Sequence, residues 1–417
     1  MGTRENNEEA IESRYAWLRL AVSFVLMTIG GSGMYSISVV LPRIQQEFAV
    51  DRGAASLPYT LTMIGFGIGG VLMGRLADRF GVLVPVVTGA TGLGLGFVAA
   101  GLAPNLLLFD VAQGLLIGLL GTSATFAPLV ADTSKWFDRR RGIALAICMS
   151  GNYAAGAVWP PVMQFFIDSA GWRATYVGIG VFCFLAMLPL ALVLRRPPPR
   201  QQDEVAHAAA TLAGTAAPVR PMGLNANFVQ VLLCVAGVAC CVAMSMPQVH
   251  IVAYCSDLGF GAARGAEMLS LMLALGVVSR LLSGWISDRI GGLRTLLLGS
   301  ILQGVALLLF LPYTGLVSLY VVSALFGLFQ GGIVPAYALI VRQHFSPAEA
   351  GARVGTVLMA TLFGMALGGW MSGAVFDWTG SYRAAFINGI AWNLLNIAIV
   401  SFLLWHATRS TRDAARA

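Results

Sequence analysis

Hydrophobic and polar positions along this chain change on one length scale: apolar stretches of about 20 residues alternate with short polar or Gly/Pro-rich breaks. About 20 apolar residues wound as a helix cross roughly 30 Å of hydrocarbon, and the pattern predicts twelve such spans. They fall at 18–41, 56–75, 82–102, 106–130, 141–166 and 173–195, then at 226–252, 266–286, 293–312, 316–341, 353–376 and 384–406. Between the sixth and seventh lies RRPPPRQQDEVAHAAATLAGTAAPVRP, which cannot bury enough apolar surface to fold on its own. The chain therefore reads as an all-α membrane protein. It has a polar segment at 1–17, a six-helix half at 18–195, a linker at 196–225, a second six-helix half at 226–406 and a tail at 407–417.

Composition removes the soluble alternatives. With 57% hydrophobic and 11% charged residues over 417 positions, no soluble domain could hide the apolar surface. The net charge of +7 invites a nucleic-acid reading, but the basic residues are scattered through the breaks rather than gathered on one face. They report topology instead. Of the 26 Lys and Arg, five (Arg43, Arg52, Arg173, Arg264, Arg383) fall in outer segments, Arg280 lies in the membrane, and the remaining 20 fall in inner ones. This is a positive-inside pattern with both termini cytoplasmic. The six cysteines sit in or beside apolar spans and read as small buried hydrophobes. No nucleophile with a matched base, metal-ligand cluster or phosphate loop is present in the sequence, so neither an enzyme nor a bound cofactor is expected.

Two stretches repeat. Gly74-Arg-Leu-Ala-Asp78-Arg79-Phe-Gly81 returns as Gly284-Trp-Ile-Ser-Asp288-Arg289-Ile-Gly291, and Arg173 in GWRATY returns as Arg383 in SYRAAF. Both pairs share one displacement of 210, which makes the two halves related. Parallel six-helix repeats are a transporter architecture, with substrate sites near the bilayer midplane.

One residue breaks the symmetry. Arg280 stands inside the apolar eighth span, where an arginine costs at least about 2.5 kcal/mol, and its counterpart in the second span is Gly70. The architecture thus needs no cation there. At 1.5 Å per residue Arg280 sits roughly 10 Å above the inner helix end, and its planar guanidinium suits a carboxylate held by two hydrogen bonds. The structural alternative is a bond to backbone carbonyls or snorkelling to the inner surface.

Other polar residues in the spans are candidates of lower information. Tyr35 in GGSGMYS, the Asn152-Tyr153 pair, and Gln330 at about the depth of Arg280 are candidate hydrogen-bonding groups for a small anion. His250 titrates near neutral pH and is the candidate proton relay, against an ordinary hydrogen-bonded role. Asp110, near the outer start of the fourth span, is a candidate proton acceptor, against ordinary solvation at the interface, which is the favoured reading.

The GRLADRFG stretch resembles the signature loop of the major facilitator superfamily, GxLaDrxGrr, and the likeness covers essentially the whole chain. It implies that Asp78, Arg79, Asp288 and Arg289 act as conformational latches at the inner helix ends, bonded in the outward-open state and broken in the inward-open one. Gly74 and Gly81 would serve a close helix approach and a tight turn. Leu83 and Val84 depart from the signature, standing where basic residues are usual.

Trp136-Phe-Asp-Arg139-Arg140-Arg141-Gly142 through Asn152 looks like the helix 4–5 signature of the monocarboxylate porter family, and Pro160-Pro161 and Gly171-Trp172-Arg173 fit its bacterial members. Arg280 matches the arginine that this family uses for its carboxylate. The resemblance implies a monomeric secondary transporter in a bacterial inner membrane, moving small monocarboxylates such as lactate or pyruvate by alternating access, with protons as the coupled partner. Two departures bear on coupling. The animal porters carry an acidic residue four positions before the helix 8 arginine and a lysine in helix 1; here the first is Gly276, and the only lysine is Lys135. The proton then travels on the substrate carboxyl or through His250. Export of hydrophobic compounds is the competing transport reading, because Gly142 and Gly151 begin an antiporter spacing that Gly156 then breaks. A transporter-like sensor is the competing reading from another class.

Overall fold

The computed structural model describes residues 11–198, 221–312 and 314–414. Most of the expected linker, the first ten residues and the last three lie outside them. Among the described residues, twelve helices are long and apolar enough to cross a membrane. They are α1 (Arg14–Glu47), α2 (Arg52–Phe80), α3 (Leu83–Gly101), α4 (Leu106–Ser134), α5 (Arg141–Ala170) and α6 (Trp172–Val193), then α7 (Ala226–Asp257), α8 (Ala262–Ile290), α9 (Gly292–Leu309), α10 (Leu316–His344), α11 (Glu349–Thr379) and α12 (Tyr382–Arg409). The ends of α1 and α2 nearest the N-terminus in membrane depth, and their counterparts on the other helices, are called proximal; the opposite ends are distal.

Most of these helices outrun the apolar stretches that predicted them. Hydropathy stops at the first charges, whereas helical hydrogen bonding continues to a cap. Ser13 Oγ accepts from Ala16 N at 3.2 Å ahead of α1, and Asn105 Oδ1 accepts from Leu108 N at 2.9 Å ahead of α4. At the proximal ends of α2 and α8, Gly81 and Gly291 take φ of +80° and +83°, a left-handed turn that only glycine makes without strain. These two positions are 210 apart, so the repeat seen in the sequence is also a repeat in backbone conformation.

Three of the spans are interrupted at depth. The helix of α1 breaks at Gly31. In α4 the stretch Ala112–Thr122 is wound as a π-helix and the α-helix resumes at Ala127. In α10 it breaks at Gly331 and Gly332, between Gln330 and Ile333. Gly331 less 210 is Gly121, so α4 and α10 are interrupted at equivalent places. Irregular backbone at membrane depth persists only where protein buries it or where it lines a cavity.

Glycines let the helices approach closely. A Cβ at Gly65 or Gly69 of α2 would strike the backbone of α4 at Gly114 or Leu119, and one at Gly92 or Gly96 of α3 would strike Leu116 and its neighbours. With no hydrophobic drive between helices in lipid, such small-residue contact is the main source of packing.

The chain groups into two compact units. One is Met1–Gln201 with Gln248–Ala274, and the other is Gln202–Pro247 with Leu275–Ala417. The distal parts of α7 and α8 thus pack with the first six helices: Ser270 Oγ donates to the Ala157 carbonyl, and a Cβ at Gly156 would overlap Leu273. The first unit has a core that includes Ile37, Leu41, Phe97, Phe109 and Tyr176; that of the second includes Leu233, Cys240, Tyr337, Ile340 and Leu403.

Candidate functional site

The second unit builds the surroundings of Arg280. Because α8 continues to Ile290, Arg280 lies ten residues from its proximal end, roughly 15 Å, deeper than the apolar pattern suggested. Its side chain is half-buried. The break in α10 is seated on this part of α8: a Cβ at Gly331 would overlap the Gly276 carbonyl and lie 3.1 Å from Arg280 N, and one at Gly332 would overlap Ser283. The two glycines therefore let α10 approach α8 within one turn of Arg280 on either side. Gln330, fully buried, immediately precedes them. The structure so brings Arg280 and Gln330 onto adjoining segments, and Gly70, the counterpart of Arg280, faces open space.

The remaining candidates lie in the first unit. Tyr35 follows the break in α1 by one turn, and its hydroxyl donates to Asn152 Oδ1 at 3.4 Å; Tyr153, the next residue of α5, is buried. A Cβ at Gly31 would lie 3.7 Å from the Oδ1 of the same asparagine, which puts the break in α1 beside this pair. His250 is fully buried on the distal part of α7.

At the proximal ends, Asp78, Arg79, Asp288 and Arg289 are all exposed. Among the described residues neither aspartate has an ion-pair or hydrogen-bond partner. The arginines lie over neighbouring rings instead, Arg79 at 5.1 Å from Phe80 and Arg289 at 3.8 Å from Trp285. Gly81 makes the expected turn, but Gly74 has open space around it and serves no close approach.

Asp110 departs from its expected setting. It is 6% exposed, packed among the first helices rather than solvated at an interface. The α2 and α3 helices pack against this first part of α4 and cover the residue.

Among the ion pairs that escaped the sequence reading, two stand out for their burial and geometry. On the distal side, Arg52 of α2 clasps Asp257 of α7 with Nη1 to Oδ2 at 2.7 Å and Nη2 to Oδ1 at 3.2 Å, while its Nε donates to Gln45 Oε1 at 2.9 Å. On the proximal side, buried Arg19 donates to Asp132 Oδ2 at 2.7 Å and to the carbonyls of Leu194 and Arg196 at 3.1 and 2.9 Å. Trp136 lies 4.6 Å beneath the Arg19 guanidinium and edge-on to Tyr15, and Phe137 is edge-on to Trp17. The aromatic pair of the helix 4–5 motif thus anchors the start of α1.

The sequence profile described as Major Facilitator Superfamily matches residues 22–316 and 268–416, nearly the whole chain. The chain belongs to the major facilitator superfamily. As a member of this superfamily it is a multi-pass membrane transporter and not an enzyme. Among curated proteins it is 28% identical over 391 residues to monocarboxylate transporter 13 of Rattus norvegicus, covering 91% of this chain and 86% of that one. It is 26% identical to the uncharacterised MFS-type transporter YcxA of Bacillus subtilis, covering 88% and 90%. Among solved structures, the peptide transporter POT in complex with sulfate superposes with a TM-score of 0.73 over 97% of this chain and 98% of that one at 14% identity, a likeness of fold. The twelve helices are therefore those of a major facilitator.

Proposed function

We propose that this major facilitator moves small monocarboxylates of the lactate and pyruvate kind by alternating access, coupled to protons, with Arg280 as the carboxylate ligand. The observation that carries the reading is Arg280 itself: a guanidinium about 15 Å into an apolar helix, present in one repeat only, with a glycine break of α10 seated on its backbone. Burying that charge is costly in lipid, and a fixed planar donor returns the cost when it binds a carboxylate. The similarity to proteins named monocarboxylate transporters supports the substrate class.

Gln330, Tyr35, Asn152 and Tyr153 supply further hydrogen bonds to the anion, and His250 is a proton relay. Asp78, Arg79, Asp288 and Arg289 latch the proximal ends in one state of the cycle and release them in the other. The proximal side is the cytoplasmic one on the positive-inside pattern, in a bacterial inner membrane, and the six-plus-six halves 18–195 and 226–406 act as one monomeric transporter.

Uptake of labelled lactate and pyruvate into proteoliposomes, with and without an inward proton gradient, tests this for wild type, Arg280→Ala and Arg280→Lys. Gradient-driven uptake that both substitutions abolish supports the reading, because a lysine offers a point charge in place of a fork. Undiminished uptake by both variants removes Arg280 from the site. Folded wild type that carries no monocarboxylate turns the assignment toward export of another compound.

A further inference from the structure

A further buried titratable group lies on a membrane-spanning helix, apart from the residues assigned above. Asp110 stands five residues past the Asn105 cap of α4, about 7.5 Å along the helix, and is 6% exposed. Among the described residues its carboxyl has no ion pair and no hydrogen bond, and Oδ1 is wholly buried.

The surroundings offer it no cation. The turn 106–111 packs against α2, α3 and the π-helical part of α4, while Phe109 touches Phe48 of α1 and Trp172 and Tyr176 of α6. Of the distal charges on those helices, Arg52 is engaged by Asp257, Arg173 by Glu47 and by the carbonyls of Gly101 and Ala103, and Arg43 faces Asp168; Asp51 is exposed. Leu83–Gly101 of α3 and Ala112–Thr122 of α4 contain no charged residue. Buried titratable groups on those helices include the hydroxyls of Tyr35, Tyr59 and Tyr176 and the thiol of Cys183. A carboxylate with no partner and one oxygen wholly buried is expensive to hold charged, whereas the same group carrying a proton is not, so its charge follows the access of water or a cation to the other oxygen.

One turn further on, Gln113 opens a buried polar chain. Its Oε1 accepts from Thr62 Oγ1 at 3.4 Å, and its Nε2 donates to the Tyr176 hydroxyl at 3.3 Å. The second half of α1, which carries Tyr35 and Ser36, packs against this stretch of α4. The chain begins where α4 turns π-helical, a form that recurs at functional sites.

We propose that Asp110 is the group that takes up and releases the coupled proton, and that Gln113 and Tyr176 connect its charge state to α1 beside Tyr35. This rests on the proton-coupled reading above and adds the residue that performs the coupling.

The test compares wild type, Asp110→Asn, Asp110→Glu and His250→Gln in proteoliposomes. Two rates are read: lactate accumulation driven by a proton gradient, and lactate exchange at equal pH across a series of pH values. Asp110→Asn should lower accumulation at least about tenfold more than exchange and flatten the pH profile of exchange, and Asp110→Glu should restore part of the drive and displace that profile. The inference is overturned if Asp110→Asn accumulates lactate as wild type does, if it loses exchange and accumulation equally while still eluting as folded protein, or if His250→Gln flattens the pH profile of exchange while Asp110→Asn leaves it as in wild type. Should Asp110→Asn not fold, an unmoved pH profile in Asp110→Glu overturns it. Wild type that exchanges lactate but ignores the gradient defeats the coupling reading itself, which is a distinguishable result.

Discussion

Arg52 and Asp257, 205 positions apart, are joined by a two-armed ion pair with contacts of 2.7 and 3.2 Å. The pair ties the distal start of α2 to the distal end of α7, helices that the repeat assigns to different halves. A third contact to Gln45 fixes the guanidinium in the plane that this geometry requires. For substrate to enter from the distal side these helices must part, so the pair is a gate contact of the proposed cycle. Asp257 is about a third exposed, and solvent screening limits the contribution to about 1 kcal/mol. Arg52→Ala and Asp257→Ala should each raise labelling of a cysteine at Gln45 by an impermeant maleimide several-fold, in a background with the native cysteines replaced. The charge exchange Arg52→Asp with Asp257→Arg should bring labelling back down, and equal labelling in all variants would rule out gating.

The buried Arg19–Asp132 pair plays a different part. Removing one member of such a pair leaves a buried charge and costs about 3–5 kcal/mol. Asp132→Ala should therefore lower the thermal midpoint of the purified protein in detergent by well over 5 °C or prevent its recovery. Exchanging the two residues should not rescue it, because Arg19 also serves the carbonyls of Leu194 and Arg196, which a carboxylate cannot.

Gly331 and Gly332 hold α10 against the Arg280 segment. Gly332→Leu should overpack Ser283 at about 1–3 kcal/mol and displace that segment, raising KM for lactate several-fold while the protein still inserts. The comparison is Gly70→Leu, at the open counterpart position, which should leave KM as it is. A KM equally indifferent to both substitutions would refute the positioning role.

Asp288 is exposed and, among the described residues, unpaired, and the proposed latch assigns its contribution to the other state of the cycle. Asp288→Asn should lower the transport rate roughly tenfold and leave equilibrium lactate binding within about twofold. Weakened binding at an unchanged rate would contradict the latch.

Most of the architecture was legible in the sequence. Apolar runs of bilayer length dictate twelve helices, since in lipid each backbone group must find its partner within its own segment. The shared 210-residue displacement fixed the repeat, and the lone arginine in the eighth span stood out because charge in hydrocarbon is costly wherever it points. Gly291, the partner of Gly81, declared its turn for the same local reason. Tertiary structure alone decided which charges meet. Arg19, Asp132, Arg52 and Asp257 were each visible as charges at span ends, but pairing across 113 or 205 positions depends on packing that hydropathy does not encode. The same holds for Asp110, whose burial comes from neighbouring helices. Gly331 and Gly332 likewise carry no signal of their own in the sequence, and the approach of α10 to the backbone around Arg280 gives them a place. Local sequence determines what a segment must bury or satisfy; the folded bundle determines with what.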